Sequence, residues 1–410
     1  MVPLQPGASC AGWPPTLLIE LNGAGAGLAH GLDFTSGSNT VRGLIINRFG
    51  QFGMHFTSGG SNIIQCNFIG TDTTGTVDLG NGNYGIRFDN SANNTIGGGT
   101  PGVRNLISAN GGAGLALVGG TSTGNIVQGN YIGTNVNGTA ALGNSGAGLD
   151  IGGANSNIFG GTPAQRNIIS ANTLGISLSA GASNNTVQGN YIGTDVNGTA
   201  NLGNINDGIR IDGSNNLVGS ISGSDPNTIS FNTGNGVRIV SGSGNHIVSN
   251  SIHSNGALGI DIDPVGVTAN DMGDGDTGVN DLQNYPVILT ASPTLVQFTL
   301  NGPPNTAYRV EVFSSSTCDP SGFGEGQTSL AVFSITTDAT GNAPNDMFGT
   351  FTLGQFITAI VTQPNNSTSE FSWCLQVTGE VGTERFSLIP IPCSPSPRTL
   401  ALLPSLWNWS

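Results

Sequence analysis

Between residues 17 and 262 a glycine is followed nine times by an apolar, variable, apolar triplet. Gly31 leads Leu32 and Phe34, Gly53 leads Met54 and Phe56, Gly85 leads Ile86 and Phe88, and the pattern continues from Gly114, Gly148, Gly175, Gly208, Gly236 and Gly259. Alternation with period two puts the apolar pair of each triplet on one face of a short strand and the variable residue on the other. Successive glycines stand 22 to 34 residues apart, the length of one solenoid coil.

Two further strands are predicted in each coil, both introduced by asparagine. The second begins at Asn39, Asn62, Asn94, Asn125, Asn157, Asn185, Asn216 and Asn245, and the third at Asn47, Asn67, Asn105, Asn130, Asn167, Asn190, Asn227 and Asn250. Three short strands per turn specify a parallel β-helix, in which asparagines at equivalent corners stack into hydrogen-bonded ladders. A longer period overlies the coils: Phe68-Ile-Gly-Thr-Asp72, Tyr131-Ile-Gly-Thr-Asn135 and Tyr191-Ile-Gly-Thr-Asp195 recur after 63 and 60 residues. Coils with these motifs alternate with coils that carry Gly-Thr-Pro-x-x-Arg-Asn, so loops are expected to protrude on one side every second coil. That side is the first to search for function.

With its Gly-Asn-Tyr-Ile-Gly-Thr-Asp and Arg-Asn-x-Ile-Ser-Ala-Asn repeats, the chain from about residue 17 to 282 resembles bacterial right-handed parallel β-helix repeat proteins of the pectin-lyase-like fold. The resemblance implies an all-β protein that is secreted or held at the cell surface. Because this fold carries lyases, hydrolases, adhesins and inert spacers alike, it does not choose a function.

Composition narrows the choice. The chain has 410 residues, 66 glycines and 46 asparagines, and only 8% of its residues are charged. All ten basic residues are arginines, which excludes Schiff-base and P-loop chemistry. A formal charge of −14 argues against nucleic acid and anionic membrane as partners, because both need clustered positive charge. No apolar run is long enough to span a membrane. A monomer is expected. Met1 to Pro15 lacks the pattern of a secretory signal, and residues 1–16 are read as a disordered or truncated amino terminus.

The solenoid pattern stops after Ile262. Residues 263–282 form an acidic linker in which Asp271, Asp274 and Asp276 alternate with glycine. Hard cations such as Ca²⁺ take several oxygen ligands from a flexible loop, although Asp and Gly are also ordinary turn residues. Both readings stand, and the spacing is not that of an EF-hand. Residues 283–377 read as an Ig-like β-sandwich that resembles the module following the solenoid in this group. Five cysteines are too few for a disulfide scaffold. Cys318 and Cys374 form either one bridge in an oxidising compartment or two unpaired thiols. The proline-containing tail, residues 378–410, is read as disordered.

When the coils are stacked, the variable positions of the first strand form an outward column: Asp33, His55, Arg87, Ala116, Asp150, Ser177, Arg210, Arg238 and Asp261. Such a column matches an extended polymer in shape. Its arginines are candidates for uronate carboxylates and its aspartates for hydroxyls. Charges on an exposed strand also prevent lateral aggregation. No pair of carboxylates at glycosidase spacing is evident within the column, and no His-x-His, His-Glu-x-x-His or Gly-x-Ser-x-Gly motif supports a zinc, copper or serine-hydrolase site. The expectation is therefore a non-catalytic protein for carbohydrate binding, adhesion or spacing. The alternative is a lyase or hydrolase acting on an acidic polysaccharide.

Overall fold

A computed structural model of the chain describes residues 9–179 and 181–379. Three parallel sheets of nine, nine and eight strands run from Ile19–Asn22 to Ile260–Ile262, each strand pairing with its equivalent one coil away. Parallel strands joined by crossovers turn right-handed. The solenoid is a right-handed parallel β-helix.

Its interior follows from the alternation. In the register Ile176↔Ile209↔Val237 and Leu178↔Ile211↔Ile239, apolar residues stack in files, and these six side chains are fully buried. Phe34, Phe56 and Phe88 stack with ring centroids 4.6 and 4.5 Å apart. A parallel strand buried on its inner face needs this continuous apolar content.

Asparagine ladders hold the corners. From Asn39 to Asn216 each side chain in the second-strand series donates Nδ2 to the Oδ1 of its neighbour one coil on, as in Asn94 to Asn125 at 2.7 Å, and Asn245 accepts the last of these bonds. A second ladder runs from Asn67 to Asn250. Asn47 does not belong to it. That residue ends the strand Leu44–Asn47, and the position level with Asn67 is held by Leu44, whose N–H bonds the Asn67 Oδ1. A third ladder, not expected from the sequence, joins Asn81, Asn110, Asn144, Asn172, Asn204, Asn232 and Asn255.

The Ile-Gly-Thr loops are structural elements. Each closes a small hairpin, Thr71↔Asp78, Thr134↔Ala141 and Thr194↔Asn201. Asp72, Asn135 and Asp195 cap these turns by accepting backbone N–H bonds. The glycine of each motif has positive φ, and a Cβ on Gly70 would run into the Ser108 carbonyl and the Asn110 side chain. The loops also stack on one another, Val136 N to Gly75 O and Val196 N to Gly138 O, both at 2.9 Å. Phe68 and Tyr131 pack with Trp13 beneath them. The side expected to carry function is thus a second apolar seam. Residues 9–16, within the segment expected to be disordered or truncated, are pinned there by a Ser9↔Thr16 bridge, by Trp13 and by a Cys10–Cys66 disulfide.

The carboxyl-terminal unit has two antiparallel sheets. Val287–Ala291, Leu295–Asn301 and Asn342–Phe348 form one, and Thr328–Thr336, Ala307–Ser315, Phe356–Thr362 and Leu375–Gln376 form the other. They enclose an apolar core that includes Val296, Phe298, Val310 and Val361. Cys318 is bonded to Cys374. The unit also closes the end of the solenoid: Phe313, Ile360 and Phe371 join its core. Residues 263–282 are anchored at Asn280, which is fully buried and accepts the Asn245 N–H at the end of the first ladder, whereas Val265 and Met272 are exposed. The part of the expected disordered tail from 380 to 410 lies outside the described residues.

Candidate functional site

The first-strand sheet brings the sequence-predicted column together in the register Asp33↔His55↔Arg87↔Ala116↔Asp150↔Ser177↔Arg210↔Arg238↔Asp261. Two residues along each strand lies a second outward file, which contains Asp89, Asp212 and Asp263. These acids bind the arginines. Arg87 Nε lies 2.9 and 3.0 Å from the Asp89 oxygens, Arg210 Nε is 3.0 Å from Asp212, and Arg238 Nη2 is 2.7 Å from Asp263. Arg238 is also 3.7 Å from the buried Asp261. Across the two files Asp33, Asp89, Asp150, Asp212, Asp261 and Asp263 outnumber the three arginines. The face is acidic, and its guanidinium groups already hold carboxylates.

The residue before each coil glycine supplies a third file, aromatic in the first three coils. His30 stacks on Phe52 at 4.6 Å, and Phe52 on Tyr84 at 5.5 Å. The Arg87 guanidinium lies 5.5 Å from the Phe52 ring centroid and 5.4 Å from that of Tyr84, within reach of cation–π attraction. Beside it, His55 faces Asp89 through Nε2 at 2.9 Å and Asp33 through Nδ1 at 3.3 Å. Half-buried rings, one guanidinium, one imidazole and two carboxylates therefore meet on the first three coils.

The environments of the acids differ. Burial opposes ionisation of Asp89, but bonds from Arg87 and His55 outweigh it and hold its carboxyl below the usual range. Burial pushes Asp150 upward, and the Arg87 charge restrains the shift. Only Ala116 separates Asp150 from Arg87 along the column, a step of two coils or roughly 10 Å. Burial likewise raises Asp261. Arg210, Arg238 and Asp261 lie farther down the same face, without an aromatic file beside them.

At the junction, Asp271, Asp274 and Asp276 present carboxylate oxygens within 4.8 Å of one another. Asp274 is pushed up to about 6, chiefly by burial, with the charges of Asp271, Asp276 and Asp281 acting in the same direction and the Asn284 N–H, 2.7 Å away, opposing them.

No family model matches the chain, and no curated protein matches it. Several solved structures are similar. A point mutant of the periplasmic alginate epimerase AlgG is 18% identical over 58% of this chain and 45% of its own, with a TM-score of 0.34. DFA-IIIase of Arthrobacter chlorophenolicus, without its lid, is 16% identical over 55% and 54%, at 0.30. The A-module of a mannuronan C-5 epimerase of Azotobacter vinelandii is 15% identical over 57% and 65%, at 0.28. The chain spans about half to two thirds of these proteins, and the likeness concerns the fold alone. Among the described residues no helix is long and apolar enough to cross a membrane.

The sequence reading placed the central column and missed its flanks. Asp89, Asp212 and Asp263 were readable as the next outward positions of the same alternation. Phe52 and Tyr84 were readable as the residues preceding Gly53 and Gly85.

Proposed function

We propose that this chain is a polysaccharide-binding β-helix protein of the cell exterior, with its contact centre at Phe52, Tyr84, His55, Arg87 and Asp89. The observation that carries the reading is the aromatic file beside a hydrogen-bonding charge cluster on an elongated, ladder-like face. Sugar rings cover aromatic faces with their C–H bonds, while charged groups bind hydroxyls in pairs. The excess of carboxylates favours a neutral glycan over the acidic one expected from the arginines alone. Two disulfides support an oxidising compartment.

Calorimetric titration with neutral β-glucan and with polygalacturonate tests this. The neutral polymer is expected to bind, and Tyr84→Ala should lose ~1 kcal/mol of stacking, roughly fivefold in Kd. Binding of neither polymer, or undiminished binding by Tyr84→Ala, would contradict the reading.

A second reading rests on Asp89 and Asp150, whose environments push them in opposite directions around Arg87. Carboxyls tuned in opposite directions are the electrostatic arrangement of base and acid in a glycoside hydrolase. Release of reducing ends from the bound polymer, abolished by Asp150→Asn, would support hydrolysis. Binding without release leaves a binding protein.

Asp271, Asp274 and Asp276 are assigned to Ca²⁺, supported by crowded carboxylates that a divalent ion would neutralise. Ca²⁺ at a hundredfold excess over its Kd would raise stability by about 2.7 kcal/mol. The melting temperature is expected to rise in millimolar Ca²⁺ relative to chelator, and an unchanged value would leave this segment a turn.

A further inference from the structure

At the amino-terminal end of the first-strand face, one ligand atom from each of His30, Asp33 and His55 lies within 4.8 Å of the others. Both Asp89 oxygens accept from Arg87 Nε, at 3.0 and 2.9 Å. An ionised carboxylate only accepts hydrogen bonds, so His55 Nε2, 2.9 Å away, carries the ring proton as its donor. With the proton on Nε2, the Nδ1 lone pair faces the other way. That atom is buried with no hydrogen-bond partner among the described residues, 3.3 Å from an Asp33 oxygen. A lone pair facing a carboxylate repels it unless a cation or a second proton lies between them. His30 completes the group, its Nδ1 accepting a long 3.3 Å bond from the Phe52 N–H.

We infer that His55 Nδ1, the Asp33 carboxylate and a ring nitrogen of His30 bind one divalent transition-metal ion of the Zn²⁺ class. Two imidazoles and one carboxylate select such an ion over Ca²⁺ or Mg²⁺. Asp89 acts as the positioning residue, fixing the tautomer of His55 as carboxylates do behind metal-bound histidines. Asp33 is 53% exposed, so an ion can enter from solvent, and three protein ligands leave a fourth position for water. The inference does not depend on the glycan reading.

The test uses the full-length, tag-free chain stripped with EDTA and titrated with Co²⁺, followed by visible absorption and then by Zn²⁺ displacement. One Co²⁺ per chain is expected, displaced by Zn²⁺ and unaffected by millimolar Ca²⁺. Affinity should fall at least about 100-fold in Asp33→Asn and in His55→Gln, and about 10- to 100-fold in Asp89→Asn. Asp33 is exposed, so its variant keeps the fold even if His55→Gln does not, which far-ultraviolet circular dichroism verifies. Absence of a Co²⁺ spectrum up to millimolar metal, or an unchanged spectrum in folded Asp33→Asn, would overturn the site and assign the space between His55 and Asp33 to a proton. Because the readout is spectroscopic, its failure leaves the glycan titration standing.

Discussion

Ile209→Asp should lose at least about 4 kcal/mol of stability, while Arg210→Ala, one residue along, should lose less than about 1 kcal/mol. Ile209 is fully buried and stacks between Ile176 and Val237. The substitution removes roughly 2 to 3 kcal/mol of apolar burial and leaves a carboxylate with no donor in its place, which is expensive in a dry interior. In a solenoid each coil contacts only its neighbours, so the damage cannot be shared with a distant part of the core. Arg210 points the other way, 41% exposed, and loses only a solvent-screened pair with Asp212. Denaturant titrations of both variants measure the contrast. An Ile209→Asp protein with the parent's midpoint would contradict the inward file.

What the sequence disclosed of this fold was what repeats locally. Alternation with period two assigns inward and outward residues strand by strand, and stacking then places Asp33, His55 and Arg87 beside one another without further information. The corners were legible where asparagine sits next to an apolar strand. They were not where it follows a variable loop, as in the ladder from Asn81 to Asn255, or where leucine replaces it, as at Leu44. Asp89 escaped because each strand was read as a triplet, one residue short of its second outward position. The histidine cluster was hidden for a different reason: its ligands come from consecutive coils, 22 residues apart from Asp33 to His55, and no linear metal motif has that spacing. Least legible was the closure of the solenoid, since its partners lie 60 to more than 100 residues downstream in a unit with another pattern.

That closure explains the buried acids of the second unit. A parallel β-helix ends in backbone and asparagine N–H groups that have no next coil to receive them, and buried donors must find acceptors. Glu311 accepts from Ser249 N at 2.8 Å, and Glu370 from Ile262 N and Thr268 N at 2.9 and 3.0 Å. Glu325 accepts from both the backbone N and the Nδ2 of Asn255, at 3.1 and 2.8 Å, and so stands as the last rung of the third ladder. Glu325→Ala would strand two buried donors, at about 1 to 3 kcal/mol each. Glu325→Gln keeps a carbonyl oxygen in the same place, as asparagine does in every rung before it. The two variants are therefore expected to separate: alanine loses roughly 2 to 4 kcal/mol at neutral pH, glutamine far less. Burial also pushes Glu325 up to about 7, despite the bonds it accepts. The folded state thus binds this proton more tightly than the unfolded chain, whose glutamates titrate near 4.5. The associated stability is complete below pH 4.5 and is lost as pH rises through 7, by about 1 kcal/mol between pH 6.5 and 8.5. Glu370, also near 7, adds a change of the same sign. Chemical denaturation of the parent and of Glu325→Gln at these two pH values reads the difference directly: the parent should weaken, and the glutamine variant should weaken by about 1 kcal/mol less. Equal slopes in the two proteins, or an alanine variant as stable as the parent, would mean that Glu325 is not what terminates the ladder.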